Sequence, residues 1–363
     1  MHPVAIDQRY LLDLLRRLIL TPSPTGLTDA ITQLVTVELE HLGIPFELTR
    51  RGAIRATLEG ARHSPDRAIV GHVDTLGAMV RELKPNGRLG VVPVGTWAAR
   101  FAEGARVTVF CDGAPNLRGT ILPLKASGHV YSTEVDSQPA SWDNLEVRLD
   151  ARVETIADLM QTGVHVGDHI AIEPGFEVVD DGFVNSRHLD DKAGVATMLA
   201  AGRALLEAGI GLPVDCHLLF TISEEVGVGA SHVLQGDVGE LISVDNGTMA
   251  PGQNTCAYGV TICMQDMSGP FDWHLTRQLI RICQEHAIVH SRDVFRHYRS
   301  DAAAALEAGN DIRTALVCFA LDSSHGYERT HIESLDAVAR LLALYMQAPP
   351  VTPLVDPVVA ASV

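Results

Sequence analysis

The sequence has no run of about 18 apolar residues, so no helix is expected to cross a membrane. Its opening, MHPVAIDQRY, lacks a basic stretch followed by an apolar one, so no signal peptide is expected. None of the six cysteines (Cys111, Cys216, Cys256, Cys263, Cys283 and Cys318) stands in a CxxC pair. That argues against a zinc–thiolate or disulfide framework. Several sit in apolar runs and read as reduced core residues of a cytoplasmic protein. Positive charge is also scarce. With 28 Lys and Arg against 45 Asp and Glu, the formal charge is -17, which speaks against nucleic acid or an anionic membrane as partner. No internal repeat occurs. The one biased stretch, APPVTPLVDP near the end, is expected to lie loosely on the surface.

What is present fits a packed enzyme. The 363 residues suffice for two domains, and 46% hydrophobic with 20% charged content is ordinary for a globular chain. Leucines at helical spacing predict a helix from Asp7 to Leu20, and TPSPTG breaks it. A second amphipathic helix is predicted from Leu27 to Leu42. AIVGHVD then reads as a buried strand with a polar end. From Met79 to Val179 the texture changes to short β-like runs such as LGVVPV, RVTVFC and NLEVRLDA, with one helix near Thr155 to Thr162. After His188, strands and helices alternate: a helix over Lys192–Glu207, strand VDCHLLFTIS, a helix, strand ELISVD, and further pairs to a last helix near Asp336–Tyr345.

This alternation implies an α/β, three-layer sandwich around a mostly parallel sheet, with a small all-β, barrel-like domain inserted. The expected division is 1–78 with 180–348 for the α/β domain, 79–179 for the insert, and 349–363 for a loose tail.

In open α/β sheets, sites form where strands end at their carboxyl edge. Candidate ligands fall there repeatedly. AIVGHVD ends in His72 and Asp74, LLFTISEE in Glu224 and Glu225, and LISVD in Asp245. VCFALDSSH ends near His325, and LDDKAG sets Asp190 and Asp191 at a helix start. Each motif alone has a plainer reading. A His-x-Asp can be a surface pair or a satisfied core histidine. Glu-Glu can be a solvated helix start, Asp-Asp a helix cap, and Asp245-Asn246-Gly247 a turn. The set is more telling, because all its members fall at ends of core elements. Oxygen and imidazole donors together suit zinc, cobalt or manganese.

The order HxD, LDDKAG, SEE, VD and a late His resembles the glutamyl aminopeptidase family of co-catalytic aminopeptidases, whose members form tetrahedral dodecamers. The similarity runs over nearly the whole chain. TPSPTG resembles the family's N-terminal loop, and RSDAAAA its Asp-Ala segment. PVGTW and VHVGDHIAIEPGFE resemble its inserted dimerisation domain. The resemblance implies two divalent metal ions per subunit, zinc above cobalt or manganese. His72 and Asp245 would hold one, Glu225 and His325 the other, and Asp190 both, with a cis peptide to Asp191. Glu224 would be the general base, taking a proton from a water and passing it to the leaving amine. Asp74 would hydrogen-bond the His72 imidazole. The implied substrates are short peptides and the implied assembly a homo-oligomer, a dodecamer built from dimers through the insert.

Two departures leave alternatives open. Thr75 stands where the family usually has Glu, and SSHGYERTH departs from the usual Ser-Pro after the late histidine, which makes His331 a rival to His325. His188 reads as an edge residue of the site. The same SHGYERTH text resembles a bacterial branch linked to the osmoprotectant N-acetylglutaminylglutamine amide. It raises a second function, a di-metal amidohydrolase or deacylase for a small blocked dipeptide amide. Tyr327, Glu328 and Arg329 read as a salt-bridged loop or as substrate contacts. A third reading, a non-catalytic oligomeric scaffold, is disfavoured by the complete donor set and by Glu224.

Overall fold

The computed structural model of the chain describes residues 1–351. The leucine pattern yields its helix at Gln8–Leu20, capped by the Asp7 carboxylate, which accepts from the Arg9 and Tyr10 amides. Helix Asp29–Leu42 follows and stops at Gly43, whose φ of 70° suits a residue without Cβ. Both bury their apolar faces in one large cluster, shared with helices Leu189–Glu207, Trp273–Glu285 and Ile332–Gln347.

That helical layer covers one face of a twelve-stranded sheet. The middle of the sheet is parallel, in the order Cys216–Thr221, Asp66–His72, Val238–Met249, Arg313–Asp322. Strand Asp66–His72 is buried at every residue, as a central parallel strand covered on both faces must be. Antiparallel strands form the flanks. The other face carries a thinner layer, in which Ala305 of the short helix Asp301–Glu307 packs over Ala68, Val70, Leu219 and Leu241. The fold is therefore the expected three-layer α/β sandwich.

After His72 the chain leaves this sheet and enters a closed barrel. Its strands run, in order around the wall, Gly77–Leu83, Leu89–Val94, Leu145–Leu149, Leu117–Pro123, Arg106–Val109 and His169–Ile172. Closure leaves no unpaired strand edge, and alternate residues such as Val80, Val91, Val107, Ile121, Val147 and Ile170 fill a core separate from that of the sandwich. The chain then rejoins the main sheet through Glu177–Val178 and Phe183–Ser186.

Four details differ from the sequence reading. The helix expected after strand Cys216–Thr221 is only two 3₁₀ turns, Glu224–Val226 and Gly229–His232. Gly227 has φ 77°, and a Cβ on Gly229 would meet Asp301 Oδ1 at 2.1 Å, so the segment bends tightly against the site. Strand Val260–Asp266 was not foreseen; it is a short apolar run whose pattern does not separate strand from helix. The strand expected over VHSRDVFRHY stops at Val294, and its second half becomes a loop. The loose tail is anchored at its start, where Gln278 Nε2 donates to the Pro349 carbonyl at 2.7 Å and the Val351 amide donates to Glu240. Its remainder, 352–363, lies outside the described residues.

Candidate metal centre and active site

The parallel strands end on one edge, and there the acidic and imidazole side chains meet. His72 ends strand Asp66–His72, and its Nε2 lies 3.2 Å from Asp190 Oδ1 and 3.9 Å from Glu224 Oε2. His72, Asp190 and Asp245 each offer a ligand atom within 4.8 Å of the others, and all three are buried. On the other side of Asp190, His325 Nε2 lies 3.5 Å from Asp190 Oδ2 and 3.9 Å from Glu225 Oε2. Asp190 thus stands between a His72–Asp245 side and a Glu225–His325 side. Its peptide bond to Asp191 is cis.

The surroundings explain how these groups are held. Asp191 braces the backbone beside the cluster, its Oδ2 accepting from the His72 amide at 3.1 Å. Gly71 and Gly194 make room for it: a Cβ on Gly194 would sit 2.1 Å from Asp191 Oδ1, and one on Gly71 2.7 Å from Oδ2. The imidazole of His72 is oriented by the Asp74 carbonyl oxygen, 2.9 Å from Nδ1. The Asp74 carboxylate lies 3.6 Å from that nitrogen and is engaged elsewhere. It accepts from Thr25 Oγ1 at 2.7 Å, from the Glu224 amide at 3.1 Å and from the Glu225 amide at 3.4 Å. Its main work is to fix the Glu-Glu backbone.

Three further groups were not legible in the sequence. Asn246 Nδ2 donates to Asp190 Oδ2 at 2.8 Å and to Asp245 Oδ1 at 3.1 Å, tying two carboxylates together. Glu328 is buried and accepts from the amides of Leu189 at 2.8 Å and His325 at 3.0 Å, so it pins both segments to each other. Thr96, from the PVGTW text of the insert, receives His325 Nδ1 on its carbonyl at 2.9 Å. His325 itself has φ 66°, a costly backbone state for a residue with a side chain.

The rival histidine is placed elsewhere. His331 Nε2 meets the Asp181 carbonyl at 2.6 Å, its Nδ1 accepts the Glu333 amide at 3.2 Å, and its ring packs against Phe183 and Tyr258. It caps the last helix. His188 turns its Nε2 to the Ile172 carbonyl at 3.1 Å, and burial, with Lys192 beside it, drives its pKa down to about 3. Arg329 pairs with Asp322 at 3.1 Å, and the Tyr327 hydroxyl donates to the Gly175 carbonyl at 2.7 Å.

Crowding of like charge makes the cluster a candidate cation site. Burial, with Asp190 adding to it, pushes the carboxyls of Glu225 and Asp245 up to about 8. Burial also carries Glu224 well above the usual carboxylate range, with Asp245 and Asp301 adding to the rise. Burial opposes ionisation of Asp190 too, yet the imidazoles of His325 and His72 hold its carboxyl below the usual range. His325 is lifted to about 10 against the effect of burial, by Asp190 and Glu225. So many buried acids without matching cations are costly, and a divalent ion relieves them. The donors are oxygen and imidazole nitrogen with no thiolate, which fits zinc, cobalt or manganese.

Buried ligating groups at the carboxyl edge of a parallel sheet, beside a free glutamate, define a metallohydrolase. A family model described as M42 glutamyl aminopeptidase matches residues 52–341, and the chain belongs to that family. It is a metallo-aminopeptidase, a hydrolase of peptide bonds. The Bacillus subtilis protein named "Putative aminopeptidase YhfE" is 36% identical over 341 residues, covering 94% of this chain and 98% of that one. The glutamyl aminopeptidase of Lactococcus lactis is 26% identical over 230 residues, 61% of this chain and 62% of its own. Among solved structures, the TET aminopeptidase of Thaumarchaeota archaeon SCGC AB-539-E09 superposes with TM-score 0.85 at 18% identity, covering 93% of this chain and 96% of its own. The Pyrococcus horikoshii TET1 peptidase, described as assembling into a tetrahedron or a large octahedral shell, gives TM-score 0.81 at 20% identity, covering 93% and 99%. No helix among the described residues is long and apolar enough to cross a membrane.

Proposed function

We propose that the protein removes N-terminal residues from short peptides, using two divalent ions held by His72, Asp190, Asp245, Glu225 and His325. The observation that carries this reading is Asp190 lying between two histidines, 3.2 Å from one and 3.5 Å from the other, with Glu224 at the rim. His72 and Asp245 would hold one ion, Glu225 and His325 the other, and Asp190 would serve both. Bound ions supply Lewis acidity, which makes a water acidic at neutral pH and polarises the peptide carbonyl.

The chain's own residues do the rest. Glu224 accepts the proton of the attacking water at its carboxylate and delivers it to the leaving amine nitrogen. Asp74, by receiving the Glu224 and Glu225 amides, keeps one glutamate directed to the ion and its neighbour free. Asn246 prevents Asp190 and Asp245 from swinging apart. All six cysteines are free thiols, which suits a cytoplasmic enzyme.

The test is metal analysis of the purified protein with a substrate panel. About two equivalents of zinc, cobalt or manganese are expected per chain, with hydrolysis of aminoacyl amides and unblocked dipeptides. Strong preference for N-blocked dipeptides would reject the aminopeptidase reading and favour the deacylase one. We also propose assembly into dimers through the barrel and then into a dodecamer. Sedimentation at micromolar concentration should show one large species, and a monomer would refute it.

A further inference from the structure

The cleft in front of the acidic cluster also has a stretch of lining that carries positive charge. It is built by Phe295–Ser300, the segment expected as strand and found as loop. Arg296 and Arg299 are the only Arg or Lys residues among the described residues lining the cleft. Although the chain as a whole carries a charge of -17, Arg296 and Arg299 line the same cleft as Glu224 and Asp245. Arg299 is fixed, its Nη2 donating to Glu307 Oε2 at 2.6 Å, and it lies within Coulombic range of Glu224. Arg296 is exposed and makes no ion pair with any carboxylate among the described residues. Between them Tyr298 packs its ring against buried Phe295, with centroids 5.2 Å apart, and its carbonyl accepts the Met267 amide at 3.0 Å. The loop is therefore anchored, and both arginines line the cleft.

An Arg guanidinium with free donors matches a carboxylate in shape as well as charge. If an aminopeptidase centre holds the amino end of a peptide, the end beyond the scissile bond runs along the cleft. In a short peptide that end is a carboxylate.

We propose that Arg296 and Arg299 bind the C-terminal carboxylate of the substrate, which makes the enzyme selective for short peptides with a free carboxyl end. This rests on the aminopeptidase reading above and adds the class of peptide it takes. The carboxylate sits on Arg296, whose donors are uncommitted, while Arg299, steadied by Glu307, supplies the second positive group. Peptides ending in an amide lose this contact and leave Arg296 without a partner.

The test compares dipeptides and tripeptides with their C-terminal amides, and with an aminoacyl nitroanilide as a substrate lacking any carboxylate. The wild-type enzyme should show kcat/KM at least tenfold higher for the acids, mainly through KM. In Arg296→Ala and Arg299→Ala the acid-to-amide ratio should fall to within about twofold of unity, mainly through a raised KM for the acids, with the metal content as in wild type. Arg299→Lys should recover part of the selectivity. Equal use of acids and amides by the wild type, or variants that keep the wild-type ratio, would overturn the proposal. A wild type that takes only amides would overturn it in favour of the blocked dipeptide amide. If the metal-loaded wild type cleaves none of the three classes, the aminopeptidase reading falls as well, and the two failures are thereby told apart.

Discussion

Glu224→Gln is expected to lower kcat by about 10²–10⁴-fold while metal content and folding stay unchanged. The substitution keeps size and removes only the ability to take a proton. Glu224 and Glu225 are neighbours in sequence, yet their environments separate them. Glu224 keeps 16% of its side-chain surface exposed, facing the cleft, whereas Glu225 keeps 5% and lies toward His325. The Asp74 carboxylate fixes both amides, so the split is built into the backbone. Glu225→Gln should therefore behave differently and lose metal as well as activity. The measurement is steady-state kinetics on an aminoacyl nitroanilide beside metal content for each variant. A loss under tenfold for Glu224→Gln would remove it as the base.

How much of this was readable beforehand depends on the kind of signal. An apolar strand that stops in a polar residue writes its end into the sequence. His72, Glu224, Glu225 and Asp245 stand out as candidates that way, and strand order brings them to one edge. The sandwich and the barrel were legible for the same reason, since period and turn residues change where one gives way to the other. The contacts that hold the ligands were not legible. Glu328 pins the Leu189 amide from 139 positions away, and Thr96, just after barrel strand Leu89–Val94, reaches His325. No local pattern encodes such a meeting. Asn246 hid inside what looked like a turn, because Asp-Asn-Gly has that composition. It lies instead within strand Val238–Met249, where burial and pairing override local preference. Asp191 was visible only as half of a pair. Its role follows from Gly71 and Gly194, which leave space for its carboxylate. Placing His325 and His331 also required the fold, which sets His325 beside Asp190 and Glu225 and gives His331 other partners.

Removing metal with a chelator should abolish hydrolysis and lower the melting temperature, and adding zinc, cobalt or manganese should restore both. The stabilisation follows from binding to the folded chain alone; an ion at 100 times its Kd contributes about 2.7 kcal/mol. The difference between loaded and stripped protein should also widen as pH rises. In the polypeptide alone, burial holds the Glu225 and Asp245 carboxyls at about 8, so they stay protonated where an unfolded chain has already ionised them. The penalty for ionising them in the fold therefore grows between the usual carboxylate range and about pH 8. His325 acts in the same direction. Its folded-state pKa of about 10 gives stability that is complete below the ordinary histidine value and is lost as pH rises toward 10. Ions compete with these same protons, so their affinity increases as the protons leave. Stripped protein should melt progressively lower from pH 6 to pH 8, while loaded protein changes little. Calorimetry of both forms at the two pH values decides the matter. Equal melting temperatures at pH 8 would show that the acidic cluster does not hold the ions.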